Sequence, residues 1–187
     1  MKANQSWFVV FSNSEIDNSK PYNKNFPEPT VVQTLDTPWI VDFKNKKIGP
    51  NESVTFETLT DWTLNDNDAI KYYSGTAVYT STFNFKKDHD KKNLFIDLGN
   101  EGVMASVKIN GIDIGTTWMA PYKLNANTAI KEGENIIEVE VVNVWRNRLT
   151  GDKTLSEENK TTWLLVDKIT PAEALIPSGL LGPVTIQ

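Results

Sequence analysis

Alternation, rather than the helical period, is the repeating signal along this chain. Between Thr76 and Phe85, the residues Ala77, Tyr79, Ser81, Phe83 and Phe85 fall on one side, and Thr76, Val78, Thr80, Thr82 and Asn84 fall on the other. Val103, Ala105, Val107 and Ile109 oppose Met104, Ser106 and Lys108. Within 135–143, Ile137, Val139 and Val141 oppose Ile136, Glu138, Glu140 and Val142. Successive strand side chains point to opposite faces, so each segment can bury one face and wet the other. The shorter runs Trp7–Phe11, Pro38–Phe43, Val54–Leu59, Leu94–Leu98 and Pro183–Ile186 read the same way.

Turn chemistry separates these runs. Asn110-Gly111 is the sharpest hairpin signal, because both residues tolerate positive φ. Gly49-Pro50-Asn51 and 132–135 read as turns, and Lys86–Lys92 as a charged tip between two strands. Helix is confined to a single turn over Pro171–Leu175, with Thr170 as N-cap and Pro171 at the first position. Many strands with little helix predict an all-β fold, a sandwich or a barrel. Two stretches, Ser12–Asp36 and Arg146–Gly182, show no alternation and are long for connections. Loops of that length are often functional or wrap another surface.

The chain has 187 residues, enough to bury one full core, and an apolar fraction of 39% places it among folded proteins. A net charge of −5 argues against nucleic acid as a partner, since phosphate affinity rests on clustered Lys and Arg. Zero cysteines removes disulfides, thiolate zinc sites, iron–sulfur clusters and thiol catalysis. No apolar run approaches the ~20 residues of a spanning helix, so no membrane insertion is expected. The opening residues lead into a strand-like run without a cleavable apolar region, which fits a segment cut from a longer polypeptide.

Candidate chemistry is narrow. The single histidine, His89, lies in the charged tip and reads as a solvated turn residue rather than a catalytic base. Neither Ser74-Gly75-Thr76 nor Ser178–Gly182 matches a phosphate-binding loop. Glycosidic cleavage needs only two carboxylates, and 24 acids always include neighbours, but they sit mostly in turns or on wet strand faces.

The six tryptophans say more: Trp7, Trp39, Trp62, Trp118, Trp145 and Trp163. Indole rings stack on the apolar faces of sugars while Asn, Asp and Arg bond the hydroxyls. Trp118, Trp145 and Trp163 lie near polar residues, and Asn143, Arg146, Asn147, Arg148 and Asp152 are the candidate polar partners. Each tryptophan also admits a reading as core or as an interdomain contact, most strongly Trp7 and Trp39, which alternate with apolar residues. Arg148 and Asp152 equally suit a structural ion pair closing the loop. No cofactor is implied. Asp and Asn oxygens in loops are compatible with a structural calcium ion, though EF-hand spacing is absent. Three Asn-x-Ser/Thr triplets, at Asn4, Asn51 and Asn159, match the glycosylation pattern, which arises often by chance.

One ordered set of fragments resembles a known family. It runs through 73–79, 94–99, Ala105–Gly111, Gly115–Trp118, Pro121-Tyr122, Gly133–Val139 and Asn143-Val144-Trp145. This order is similar to the sugar-binding β-sandwich of glycoside hydrolase family 2, a galactose-binding-like jelly roll. The sequel, 145–152 and then 178–184, resembles the C-terminal module of large bacterial glycosidases of the α-L-rhamnosidase type.

The resemblance implies a jelly-roll core over 37–187. Residues 1–36 would be an N-terminal extension, the end of a preceding domain plus a linker. It implies a non-catalytic accessory module whose partners are carbohydrate and the catalytic domain of a parent glycoside hydrolase, in a periplasmic, extracellular or cell-surface setting. The alternative is a purely structural domain that makes interdomain contacts and has no ligand.

Overall fold

The computed structural model describes residues 11, 29–86, 93–100, 104–165, 168–170 and 174–187. Trp7–Val10, Asn4, the tip at 87–92 with His89, Val103 and most of the expected turn at 171–175 lie outside the described residues.

The expected strands that fall among the described residues form, some with shifted ends, and two short ones, Gln33–Thr34 and Lys123–Asn125, form where none was expected. They are β1 (Gln33–Thr34), β2 (Trp39–Phe43), β3 (Val54–Phe56), β4 (Thr76–Phe85), β5 (Phe95–Asp97), β6 (Met104–Ile109), β7 (Ile112–Thr117), β8 (Lys123–Asn125), β9 (Gly133–Val142) and β10 (Thr185–Ile186). Two antiparallel sheets result, one in the order β3-β2-β4-β9-β6-β7 and one in the order β1-β10-β5-β8. The fold is an all-β sandwich, with two short helices among the described residues, α1 (Asp68–Lys71) and α2 (Arg146–Asp152). The sandwich already includes Gln33–Thr34, inside the stretch read as an extension, because β1 pairs with β10.

The core sits on the faces that alternation marks. Val41, Tyr79, Val139 and Val107 form one row across four neighbouring strands, and all are buried. Leu35, Ile96, Leu98, Val184 and Ile186 close the core from the smaller sheet's side. Each fully buried aliphatic or aromatic side chain contributes about 1.5–3 kcal/mol of transfer free energy.

An aromatic group at the centre ties the strands to the later loops. Trp62 lies parallel to Tyr79, with 3° between the ring planes, and Phe43 and Tyr73 meet Trp62 at an angle. The Trp62 Nε1–H donates to the Tyr79 hydroxyl at 2.6 Å, and the Leu180 amide donates to the same oxygen at 3.1 Å. Burial pushes the Tyr79 phenol up, far above its ordinary value. Trp39, only 1% exposed, meets Tyr79 edge-on, and its buried Nε1–H has no hydrogen-bond acceptor.

Two glycines correct or extend the sequence reading. Asn110 (φ 53°) and Gly111 (φ 79°) form the expected hairpin turn between β6 and β7. Gly115, which the sequence reading puts at a crowded strand end, instead sits inside β7 at φ 119°, where the β6–β7 register slips by one residue. A glycine is needed there because a bulge places its residue at positive φ.

Candidate carbohydrate-contact surface

One pole of the sandwich collects the candidate residues. In the larger sheet, Thr117 opposes Ala105, Ala105 opposes Val141, Met104 opposes Val142, and Val142 opposes Thr76. The ends of β7 and β9 and the beginnings of β4 and β6 therefore meet at this pole. Trp118 follows β7 directly, and Trp145 follows β9 after Asn143 and Val144. Only β6 separates those two strands, so their ends lie about 10 Å apart at ordinary strand spacing.

Asn143 extends the β4–β9 ladder past the last strand residue. Its amide donates to the Gly75 carbonyl, its Oδ1 accepts from the Gly75 amide at 2.7 Å, and its Nδ2 donates to the Tyr73 carbonyl. The chain then turns into α2, which the sequence reading missed. This helix is short, has no side-chain N-cap bond, and contains Gly151 and Thr150, neither a strong helix former. What holds it is tertiary. The Arg148 amide donates to Ser74 Oγ, and Gly151 lies so close to Tyr72 that a Cβ would come within 2.6 Å of the ring.

Asp152 ends α2, where the helix dipole disfavours negative charge. It is stabilised by partners instead. Arg148 Nη2 lies 2.5 Å from its Oδ1, and the Thr161 amide, the Thr162 amide and the Thr162 hydroxyl all donate to its Oδ2. Burial acts to raise the Asp152 pKa, but Thr162, Arg148 and the Thr161 amide together hold the carboxyl below the usual carboxylate range. Asn147 takes a similar part toward the end of the loop. It donates to the Ile176 carbonyl and Ser178 Oγ and accepts from the Ile176 amide.

Asn143, Asn147, Arg148 and Asp152 are thus all buried, and their bonds go to the protein itself. Arg146 is half-buried at the first position of α2. The three tryptophans are the opposite case. Trp118 is 70% exposed, Trp145 47% and Trp163 80%. Trp145 is the N-cap of α2, and Trp163 follows Thr162, which is bound to the helix's last residue. Seven helical residues span about 10 Å, which sets the scale of that separation. Met119, Val144, Leu165 and Ile176 add exposed apolar surface in the same loops. The polar candidates build the platform, and the tryptophans are what it presents.

Trp39 and Trp62 are enclosed in the core, as alternation implied for Trp39. Among the described residues, no three His, Asp or Glu side chains gather as metal ligands, and no helix is long and apolar enough to cross a membrane.

No family model matches the chain. It is 37% identical, over 88% of its length, to a protein from Formosa agariphila named "Putative beta-glucuronidase", of which it spans 16%. Its structure matches that of a rhamnosidase from Novosphingobium sp. PP1Y with a TM-score of 0.79 and 33% identity, over 90% of this chain and 16% of the other. A β-glucuronidase from Ruminococcus gnavus shares the fold, with a TM-score of 0.52 and 18% identity over 63% of this chain. The chain spans about a sixth of the length of the first two relatives. It is similar to one segment of much larger glycoside hydrolase-related proteins.

Proposed function

We propose that the chain is a non-catalytic accessory module of a bacterial glycoside hydrolase, a galactose-binding-like jelly roll whose tryptophan pole contacts carbohydrate. The observation that carries this reading is the exposure of Trp118, Trp145 and Trp163 around one pole, on loops whose polar residues are bonded inward. Flat, rigid indoles held on a fixed platform stack on sugar rings at little entropic cost. The chemistry available at the pole supports a binding role over a hydrolytic one. Asp152 is the buried acid there, and its partners keep it ionised, which suits neither a general acid nor a free nucleophile. The relation to segments of glycoside hydrolases makes a catalytic domain on the same polypeptide the natural partner and an extracytoplasmic setting the natural location.

The test is isothermal calorimetry or a glycan array with Trp118→Ala, Trp145→Ala and Trp163→Ala. The reading expects a loss of affinity at an unchanged thermal midpoint; unchanged affinity in all three stable variants removes the pole from carbohydrate binding.

A second reading is a contact surface for another domain, without a sugar. It is favoured by the exposed Met119, Leu165 and Ile176 beside the tryptophans and by the inward bonding of the polar residues. In that case the same variants weaken association with the remainder of a parent polypeptide and change no glycan signal.

A further inference from the structure

The three exposed indoles follow one another across the pole, in an order set by the sheet. In the larger sheet β7 is the edge strand, β6 lies between it and β9, and β4 lies on the far side of β9. Trp118 follows β7, and Trp145 stands just past the end of β9. Helix α2 starts beside Trp145 and packs against the segment that leads into β4. The contacts are the Arg148 amide on Ser74 Oγ and the close approach of Gly151 to Tyr72. The helix therefore extends to the side of β9 away from Trp118. Asp152 at its end holds the Thr161 and Thr162 amides, and Trp163 is the next residue. Trp145 is the middle ring of the three.

The spacing is even. Two strand steps, about 10 Å, separate the ends of β7 and β9. The length of α2, about 10 Å, separates Trp145 from the segment that carries Trp163. A pyranose stacked on an indole covers that one ring, so a single sugar engages one tryptophan and only a chain passes over all three. Exposed apolar surface continues between Trp118 and Trp145, from Met104 at the start of β6 and Val144 after β9. The inward bonds of Asn143 and Asp152 fix the backbone that carries Trp145 and Trp163, so a chain meets rings whose places are already set. Once the first ring is stacked, each further stack along the same chain is intramolecular.

We infer that the pole is a track for a glycan chain bound along its length, not a site for one terminal sugar. The inference rests on the carbohydrate reading proposed above and adds the form of the ligand.

The experiment is 1H–15N NMR of the uniformly labelled chain, with the three indole Nε1–H signals assigned by their loss in Trp118→Ala, Trp145→Ala and Trp163→Ala. Rhamno-, galacto-, gluco-, manno-, xylo- and galacturono-oligosaccharides are titrated, from the monosaccharide to the hexasaccharide. For the sugar that binds, affinity should rise at least about tenfold from monosaccharide to hexasaccharide. All three signals should move together in a complex of one chain per protein. A hexasaccharide carrying a nitroxide at its reducing end should broaden Trp118 and Trp163 unequally, with Trp145 between them. Affinity independent of chain length, a hexasaccharide complex that moves only one of the three signals, or strongest broadening at Trp145 overturns the track and leaves carbohydrate binding at the pole intact. Three signals that stay in place with every glycan overturn the track together with the carbohydrate reading, and leave the interdomain contact.

Discussion

The Tyr79 hydroxyl on β4 receives two buried donors, the indole N–H of Trp62 and the backbone amide of Leu180, 101 residues further along the chain. One phenol oxygen thus joins the larger sheet, the 3₁₀ turn that holds Trp62 and the last irregular segment.

Tyr79→Phe keeps the ring and removes that oxygen. Both donors are then left unpaired in the core, at about 1–3 kcal/mol for each. Equilibrium denaturation should show the variant several kcal/mol less stable with an unchanged m-value. A cost near zero would mean that water replaces the hydroxyl.

Gly179 and Gly111 separate steric from conformational cost. Both have positive φ, 95° and 79°. A Cβ on Gly179 would stand 2.6 Å from Trp62 Nε1 and 2.7 Å from the Tyr79 hydroxyl, whereas one on Gly111 meets nothing within 4 Å. Gly111→Ala should cost about 1–2 kcal/mol from backbone conformation alone. Gly179→Ala should cost clearly more, as read by the thermal midpoint of each. Equal costs would show that the aromatic group yields freely.

Asp152 makes stability depend on acid. Its folded-state pKa lies below the ordinary value of 3.8, so its contribution is fully present above that value and is lost as pH falls through the lower folded-state value. At neutral pH, Asp152→Asn should destabilise by about 3–5 kcal/mol, because Arg148 keeps its charge without a partner. The gap between variant and parent should narrow below about pH 4. A gap independent of pH would assign the loss to packing rather than to charge.

Asn110 does more than turn the chain. Its Nδ2 donates to the Ala129 carbonyl and to Asn135 Oδ1, and its Oδ1 accepts from the Ile136 amide. Asn110→Gly preserves the backbone and removes these bonds, at about 0.5–1.5 kcal/mol for each. Replacing Asn110-Gly111 with Val-Val adds β-branched residues at positive φ and should cost more still. Chemical denaturation of both variants ranks the two effects; a Val-Val variant as stable as the parent would contradict the turn geometry.

The sandwich was legible because burial on one face leaves a period of two. Ala77 through Phe85 and Ile137 through Val141 are buried where alternation places them. The loop pole was less legible for three physical reasons. Helix α2 is held by Ser74, Tyr72 and Thr162 from distant segments, so its seven residues carry no apolar stripe to read. The short strands β1 and β8 contain too few positions to establish alternation. Sequence proximity of polar residues to tryptophans also says nothing about which way the polar groups point. Asn143, Asn147 and Asp152 turn inward, and among the readings made for them the structural ion pair of Arg148 with Asp152 is the one the geometry contains.

The stretch from Thr162 to Ile176 is pinned at both ends. Asp152 grips Thr161 and Thr162, Asn147 grips Ile176, and beyond it Ser178 and Leu180 bond to Asp61 and Tyr79. No strand of either sheet falls among its described residues. Substituting the exposed Trp163 and Leu165 between those anchors should therefore leave the fold intact while changing the surface it presents, which makes this pole a natural scaffold for engineered recognition.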